Sequence, residues 1–206
     1  MSLKKASIVI FLILLIDQIS KIYIKTHFEL GEDIEVFRWF QILFVENDGM
    51  AWGAKLSDFT SFISDRTAKV VLTSFRLVAI VGIGYWLVNS IKYKGSKVLI
   101  VAISLIFAGA LGNIIDSVLY GLIFSDSLGQ VATFLPETGG YDGLLHGKVV
   151  DMLHFPLWKG YLPEWIPFWG GEYFTFFEPV FNIADMAISS GVGVLLVFNK
   201  KAFPKP

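Results

Sequence analysis

The chain has 206 residues, of which 54% are hydrophobic, and its mean hydropathy is +0.63. An ordinary soluble domain is less apolar, so this composition indicates a small membrane protein. The absence of cysteine excludes disulfides, thiol catalysis and cysteine-ligated zinc. The three histidines show no metal-ligand spacing, and the net charge of −1 gives no reason to expect a nucleic-acid partner. We expect neither a metal ion nor a cofactor.

Lysines gather in three stretches that contain none of the 18 acidic residues: 1–16, 89–97 and the end after Asn199. Such positive segments of a membrane protein lie on the cytoplasmic side. We therefore predict a membrane all-α fold with a small β element, forming a single domain over 1–206. Four transmembrane helices would leave both termini in the cytoplasm and two loop regions outside. The predicted spans are about 6–24, 70–88, 98–115 and 181–198, and the outer loops are about 26–69 and 117–179.

The first span begins after Lys4 and Lys5, a pattern that a secretory signal peptide would also show. No small-residue cleavage site follows it, and the sequence DQISK comes directly after the apolar run, so we favour a retained helix. Asp17 and Lys21 are four residues apart. They therefore share one helix face and can partly neutralise each other.

The first outer loop is polar and acidic, but the run Glu35–Val45 mixes apolar and aromatic residues in a way that predicts short strands. Turn-forming residues follow in VENDGMAWG. We expect this loop to form the small β element, lying on the outer membrane surface.

The second outer loop contains a segment, Phe155–Phe177, that is dense in aromatic residues. Aromatic rings favour the headgroup level of a bilayer, where they are half wet. A buried aromatic core within a soluble loop is the alternative. We also hypothesise that either this segment or the Phe37–Phe44 element acts as a lid over a site beneath it.

The fourth span, Phe181–Phe198, is long enough to cross a membrane and carries one carboxylate, Asp185. A charge in such a span is costly and usually faces a protein interior where it has a function. Asn182 is a suitable N-cap for this helix, and Asp185 in the first turn is favoured by the helix dipole.

The direction of each span gives the depth of its polar residues at about 1.5 Å per residue. These residues all fall in the outer half of the membrane: Asp17, Arg76, Asn113, Asp116, Asn182 and Asp185. Asp151, in the apolar segment VVDMLHF, can reach the same level. Scattered salt bridges, including Arg76 with Asp116 or Asp185, are one explanation. The other is a pair of carboxylates that shares a proton and activates water, as in aspartic peptidases. The sequence leaves open whether Asp116 or Asp151 is the partner of Asp185.

Five motifs, in this order along the chain, resemble those of the lipoprotein signal peptidase family, the type II signal peptidases of bacteria. They are DQISK at Asp17–Lys21, ENDGMAWG at Glu46–Gly53, GALGNIID at Gly109–Asp116, VVDM at Val149–Met152 and FNIADMAI at Phe181–Ile188.

The resemblance implies an aspartic endopeptidase whose catalytic residues are Asp151 and Asp185. Further residues would support catalysis or line the substrate path: Asn47, Gly49, Asn113, Asp116, Asn182, Asp17 and Lys21. The implied reaction removes signal peptides from diacylglyceryl prolipoproteins by cleavage before the lipidated cysteine. The implied location is the outer face of the bacterial cytoplasmic (inner) membrane, with membrane lipids and globomycin-type inhibitors as further partners.

Three features depart from the family pattern. Ser117 stands where the family has Arg, so a basic partner near Asp116 is missing, and Arg76 is a possible electrostatic substitute. Met152 replaces a Phe. The two catalytic candidates are 34 residues apart, and the segment Gly121–Lys148 before Asp151 looks enlarged, which affects the expected shape of the outer loops.

Two other functions fit a membrane protein with buried acids. An ion- or proton-coupled transporter would use them as a relay, although no inverted repeat is visible. A non-catalytic scaffold would use its outer loops to bind a partner, but it would not need several carboxylates at one depth.

Overall fold

The computed structural model describes residues 1–48 and 64–204, so Gly49 and most of the ENDGMAWG motif lie outside the described residues. Long helices form a bundle, and a sheet covers one end of it. The helices are α1 (Leu3–His27), α2 (Asp65–Lys92), α3 (Lys97–Ile123), α4 (Ile183–Val197) and the short α5 (Asn199–Ala202). The strands are β1 (Asp33–Phe37), β2 (Phe40–Asn47), β3 (Val149–His154), β4 (Trp158–Tyr161), β5 (Tyr173–Phe176) and β6 (Val180–Phe181).

Each of the four long helices begins at a residue whose side chain accepts a hydrogen bond from a backbone N–H in the first turn. These N-caps are Ser2, Ser64, Ser96 and Asn182. Such side chains satisfy donors that have no partner inside the helix, so these residues fix where each helix starts.

The third helix extends to Ile123, well beyond the predicted end of its span at 115. The prediction that the second outer loop starts at 117 is therefore wrong. A charge at Asp116 suggested the end of the apolar segment, but this carboxylate is buried and ion-paired. The last two turns are apolar or small, and Tyr120 is buried beneath the sheet.

Among the described residues, α1, α2 and α3 are long and apolar enough to cross a membrane. Their outward surfaces agree with lipid contact: Phe75 and Val78 of α2 are 69% and 73% exposed. The fourth apolar helix is shorter than predicted, with 15 residues, because Phe181 belongs to β6 and Asn182 is the cap. The helical path continues into α5 directly after Phe198.

An antiparallel sheet with the order β1-β2-β3-β6 lies across the end of the bundle where α1 and α3 end and α4 begins. We call this the sheet end. The predicted strands in Glu35–Val45 are confirmed. The first loop forms β strands as expected, and the second loop adds β3 and β6 to the same sheet. Asp151 therefore lies on a strand whose apolar neighbours Val150 and Met152 are buried.

Helix α3 is the centre of the bundle and contacts α1, α2 and α4. Two glycines allow the close approach. A Cβ at Gly109 would overlap the carbonyl oxygen of Ala184 in α4, and a Cβ at Gly112 would lie 2.6 Å from a carboxylate oxygen of Asp17 in α1. The GALGN motif is therefore a packing surface for both neighbours.

Strands β4 and β5 form a separate hairpin that leaves the sheet between β3 and β6. Its aromatic side chains are exposed, up to 80% for Trp165 and 96% for Phe168. The alternative of a buried aromatic core in this segment is therefore wrong. An exposed aromatic surface of this kind is typical of contact with the membrane interface.

Candidate active site

The polar residues singled out in the sequence meet at the sheet end, where α1, α3 and α4 contact β2 and β3. Asp151 lies on β3 and is 3% exposed. Asp185 lies in the first turn of α4 and is half-buried. A strand and a helix start thus place two carboxylates at one point between the sheet and the bundle.

Asn182 connects these two carboxylates. Its side-chain Nδ2 donates to Asp151 Oδ1 at 2.6 Å, and its backbone N–H donates to Asp185 Oδ2 at 3.4 Å. Its Oδ1 in turn accepts from the backbone N–H of Asp185 at 2.9 Å, completing a capping box. The predicted cap is confirmed, and the same residue holds both acids in fixed positions.

Two further amides complete this arrangement. Asn47 Nδ2, at the end of β2, donates to Asp151 Oδ2 at 3.1 Å. Asn113 Nδ2, on α3, donates to Asp185 Oδ1 at 2.8 Å. Asn113 Oδ1 accepts from Asn182 Nδ2 at 3.1 Å and from Lys21 Nζ at 2.8 Å. Each of the two carboxylates therefore accepts a hydrogen bond from an amide N–H group at both of its oxygens. Asp185 is half-buried, so one face of its carboxylate remains accessible.

Asp116 is fully buried and has a different set of partners. Lys21 Nζ lies 2.8 Å from its Oδ2, Gln18 Nε2 donates to its Oδ1 at 2.9 Å, and the Val150 N–H donates at 3.4 Å. Both carboxylate oxygens of Asp116 are therefore occupied by an ion pair and hydrogen bonds that hold α1, α3 and β3 together. The competing assignment of Asp116 as the partner of Asp185 loses support.

Lys21 also pairs with Asp17 at 3.0 Å, so the predicted pairing along α1 is observed. Asp17 accepts from the backbone N–H of Ala184 in α4 at 2.9 Å. One buried ammonium thus forms ion pairs with two buried carboxylates, and together these three side chains connect α1, α3 and the start of α4. Removing Lys21 would leave two buried carboxylates without a counter-charge.

Arg76 of α2 donates to the Ser117 hydroxyl at 3.4 Å. Its charge also interacts with those of Asp185 and Asp151. The basic partner of Asp116 is Lys21, so the expectation that Arg76 substitutes near Asp116 needs correction. Arg76 instead contacts Ser117, and its positive charge acts on the two acids.

The environment of Asp151 favours its protonated form. Burial raises the pKa of this carboxyl to about 7, and the negative charge of Asp185 acts in the same direction. The amides of Asn47 and Asn182 and the charge of Lys21 oppose that rise in pKa only in part. Two adjacent carboxyls of this kind can hold one proton between them near neutral pH.

A family model described as "Signal peptidase (SPase) II", of peptidase group A8, matches residues 9–200. The chain belongs to the signal peptidase II family. A lipoprotein signal peptidase of Porphyromonas gingivalis is 47% identical over 195 residues, which cover 94% of this chain and 82% of the relative. A lipoprotein signal peptidase of Amoebophilus asiaticus is 34% identical, covering 95% of this chain and 77% of the relative.

Two solved structures share the fold of this signal peptidase II family member. Each is described as a bacterial membrane enzyme structure obtained by the in meso method. One has a TM-score of 0.58 at 25% identity and covers 98% of this chain and 93% of its own. The other has a TM-score of 0.60 at 23% identity and covers 98% and 96%. The family resemblance read from the five motifs is confirmed.

The sequence did not single out every residue that shapes this site. Gln18 contacts Asp17, Asp116 and the hydroxyl of Tyr120. Its position beside Asp17 in DQISK was the available signal. Glu46, directly before Asn47, is the first residue of the ENDGMAWG motif, but nothing in the sequence indicated a role for it. Within 1–48 and 64–204, no group of three or more His, Asp or Glu side chains is arranged to hold a metal ion.

Proposed function

We propose that this chain is an intramembrane aspartyl endopeptidase that removes signal peptides from diacylglyceryl prolipoproteins, cleaving before the lipidated cysteine. The observation that carries the proposal is the pair Asp151 and Asp185, which Asn182 bridges at the sheet end. We call this pair the dyad. Membership of the signal peptidase II family and relatives named lipoprotein signal peptidase support the reaction and substrate class.

The dyad performs the reaction through one shared proton. Asp185, as the carboxylate, takes a proton from water, whose oxygen then bonds to the scissile carbonyl carbon. Asp151, protonated, gives its proton to the carbonyl oxygen. Collapse of the tetrahedral intermediate breaks the C–N bond: the proton taken up by Asp185 goes to the leaving amine, and one hydroxyl of the intermediate returns its proton to Asp151. The products are the signal peptide with a new carboxylate and the lipidated cysteine with a free amine.

The asparagine side chains hold the two acids in the orientation that this reaction needs. Asn47, Asn113 and Asn182 donate to the carboxylates and accept no proton, so they orient the acids without competing for the proton. The positive charge of Arg76 interacts favourably with the single negative charge that the pair carries throughout the reaction. Gly49 lies outside the described residues; we place it with Asn47 along the substrate path on the family pattern.

The position of the dyad suits a lipid-modified substrate. The acyl chains stay in the bilayer, so the scissile bond lies close to the membrane surface, where the helix ends meet the sheet. We place the chain in the bacterial cytoplasmic membrane with four spans, both termini in the cytoplasm and the dyad at the outer face. Globomycin-type inhibitors are expected to occupy the same site. Among the described residues, the buried charges gather at this one end, which does not favour a transporter.

The test uses the purified full chain and a diacylglyceryl prolipoprotein. Asp151→Asn and Asp185→Asn keep size and polarity but cannot transfer the proton, so each should bind substrate and lose at least about a thousandfold in kcat. Asp33→Asn, on the exposed strand β1, is the matched control and should cleave like the wild type. Near-wild-type turnover in either dyad variant would show that the assignment is wrong.

A further inference from the structure

Glu46 is a buried carboxylate next to the site, and the mechanism above does not use it. Its side chain is 3% exposed. It forms an ion pair with Lys25 near the end of α1, and a second with Lys148 at 3.0 Å, directly before β3. The Ser127 hydroxyl donates to it at 2.8 Å. The Glu46 side chain thus contacts α1, the residue directly before β3 and the segment that connects α3 to β3.

The partners of Glu46 are themselves tightly held. Lys25 Nζ lies 5.0, 5.5 and 6.0 Å from the ring centres of Tyr141, Phe124 and Phe44, and it donates to Ser127 at 2.8 Å. The Tyr141 hydroxyl accepts from the backbone N–H of Lys148 at 2.6 Å. We call Lys25, Glu46, Ser127, Tyr141 and Lys148 the Glu46 cluster.

Charge keeps Glu46 ionised in this environment. Burial alone would raise the pKa of its carboxyl, but the charges of Lys25 and Lys148, and the hydrogen bonds from both, hold that pKa below its usual range. Buried ion pairs contribute little net stability compared with apolar side chains of the same size, because desolvation offsets their attraction. Stability alone is therefore a weak explanation for three charges gathered here.

The strand register shows what the cluster fixes. Glu46 lies opposite Val150 and Asn47 lies opposite Val149, and these are the last paired residues of β2. At this strand end the side-chain amide of Asn47 donates to Asp151 at 3.1 Å. Few backbone hydrogen bonds hold a strand end, so side-chain contacts fix its position: those of Glu46, and the ion pair of Asp48, the residue after Asn47, with Lys69 of α2 at 3.0 Å.

We propose that Glu46 is a positioning residue: its ion pairs with Lys25 and Lys148 lock the end of β2 against α1 and β3, so that Asn47 stays on Asp151. Ser127, Tyr141 and Lys148 all come from the enlarged segment before β3, which therefore supports the site from behind. The inference rests on the proposed function only in taking Asp151 as catalytic.

The test compares pH profiles of kcat for the full chain in detergent micelles. In Glu46→Gln the strand end is released, so Asp151 loses the donor that favours its ionised form and holds its proton more tightly. We expect kcat to fall about tenfold or more and the alkaline limb to move to higher pH. Asn47→Ala should show the same shift in pH, and the double variant should shift no further.

A second variant keeps the test decisive where Glu46→Gln folds poorly, since that change leaves Lys25 buried without a counter-charge. The pair Lys25→Met with Glu46→Gln removes both charges together, and it should fold and still show the shifted limb. Glu35→Gln, on exposed β1, is the matched control and should follow the wild type. Wild-type kcat and an unmoved alkaline limb in the folded variants would overturn the positioning role. Cleavage by Asp151→Asn would instead overturn the proposed function, so the two failures are distinguishable.

Discussion

At the scale of single residues, amides do most of the positioning in this site. Asn182 contacts both acids while it caps α4, so the start of the helix and the geometry of the dyad depend on one side chain. Asp116 and Asp151 are both buried, but the groups that surround them differ. An ammonium neutralises Asp116, whereas amides and a second carboxylate surround Asp151.

The pKa of Asp151, raised to about 7, gives a prediction for the pH dependence of cleavage. Below that pH the dyad holds its shared proton, and above it the proton is lost, so kcat should fall by about tenfold per pH unit on the alkaline side. The same raised pKa means that the contribution of Asp151 to stability is present at low pH and is lost as the pH rises through about 7. A kcat profile that stays level well above pH 7 would contradict this assignment.

At the scale of elements, the close packing of α3 against α4 decides where the acids meet. Asn113 and Asp185 lie on these two helices, and their hydrogen bond requires the approach that Gly109 permits. Side chains larger than hydrogen at this contact would push α4 outward and carry Asp185 with it.

Gly109→Ala should therefore lower the free energy of unfolding by about 1–3 kcal/mol and reduce cleavage, because its Cβ overlaps the backbone of Ala184. Gly193→Ala in α4 is the matched control. A Cβ there meets nothing within 4 Å, so we expect no loss and a gain of up to about 1 kcal/mol from helix propensity. Thermal unfolding in detergent and a cleavage assay measure both effects. Equal behaviour of the two variants would argue against a packing role for Gly109.

At the scale of the whole molecule, a sheet built from the α1–α2 and α3–α4 connections covers the end of a helix bundle, and an aromatic hairpin projects from that sheet. A row of neighbouring rings joins the sheet to the start of α4: Phe37, Trp39, Phe40, Phe155, Phe181 and Phe177. Phe181 in this row lies directly before Asn182. Phe155 and Phe177 of this row flank the hairpin in sequence, so its two ends are anchored beside the site.

Removing the hairpin tests whether it acts as a lid. The backbone N–H of Leu157 donates to the carbonyl of Phe176 at 3.1 Å, so a short glycine linker can replace 158–175 without moving β3 or β6. We expect the unfolding temperature to change little and prolipoprotein cleavage to fall. Replacing Trp165, Phe168 and Trp169 with Ser should reproduce the loss if the exposed rings are responsible. Full activity in a stable deletion would reject the lid hypothesis.

The sequence by itself determined the helices and the gathering of polar residues at one end, because hydrophobic runs, caps and lysine distribution are local signals. It also supplied the family through five short motifs. Only the tertiary structure decided that Asp116 binds Lys21 while Asn182 bridges Asp151 and Asp185, that VVDMLH is a strand in a sheet built from two loops, and that Glu46 pairs with Lys25 and Lys148. These outcomes depend on contacts between residues far apart in sequence, such as Asn47 with Asp151. Local periodicity does not specify such contacts, because packing of the whole chain selects among many possible partners.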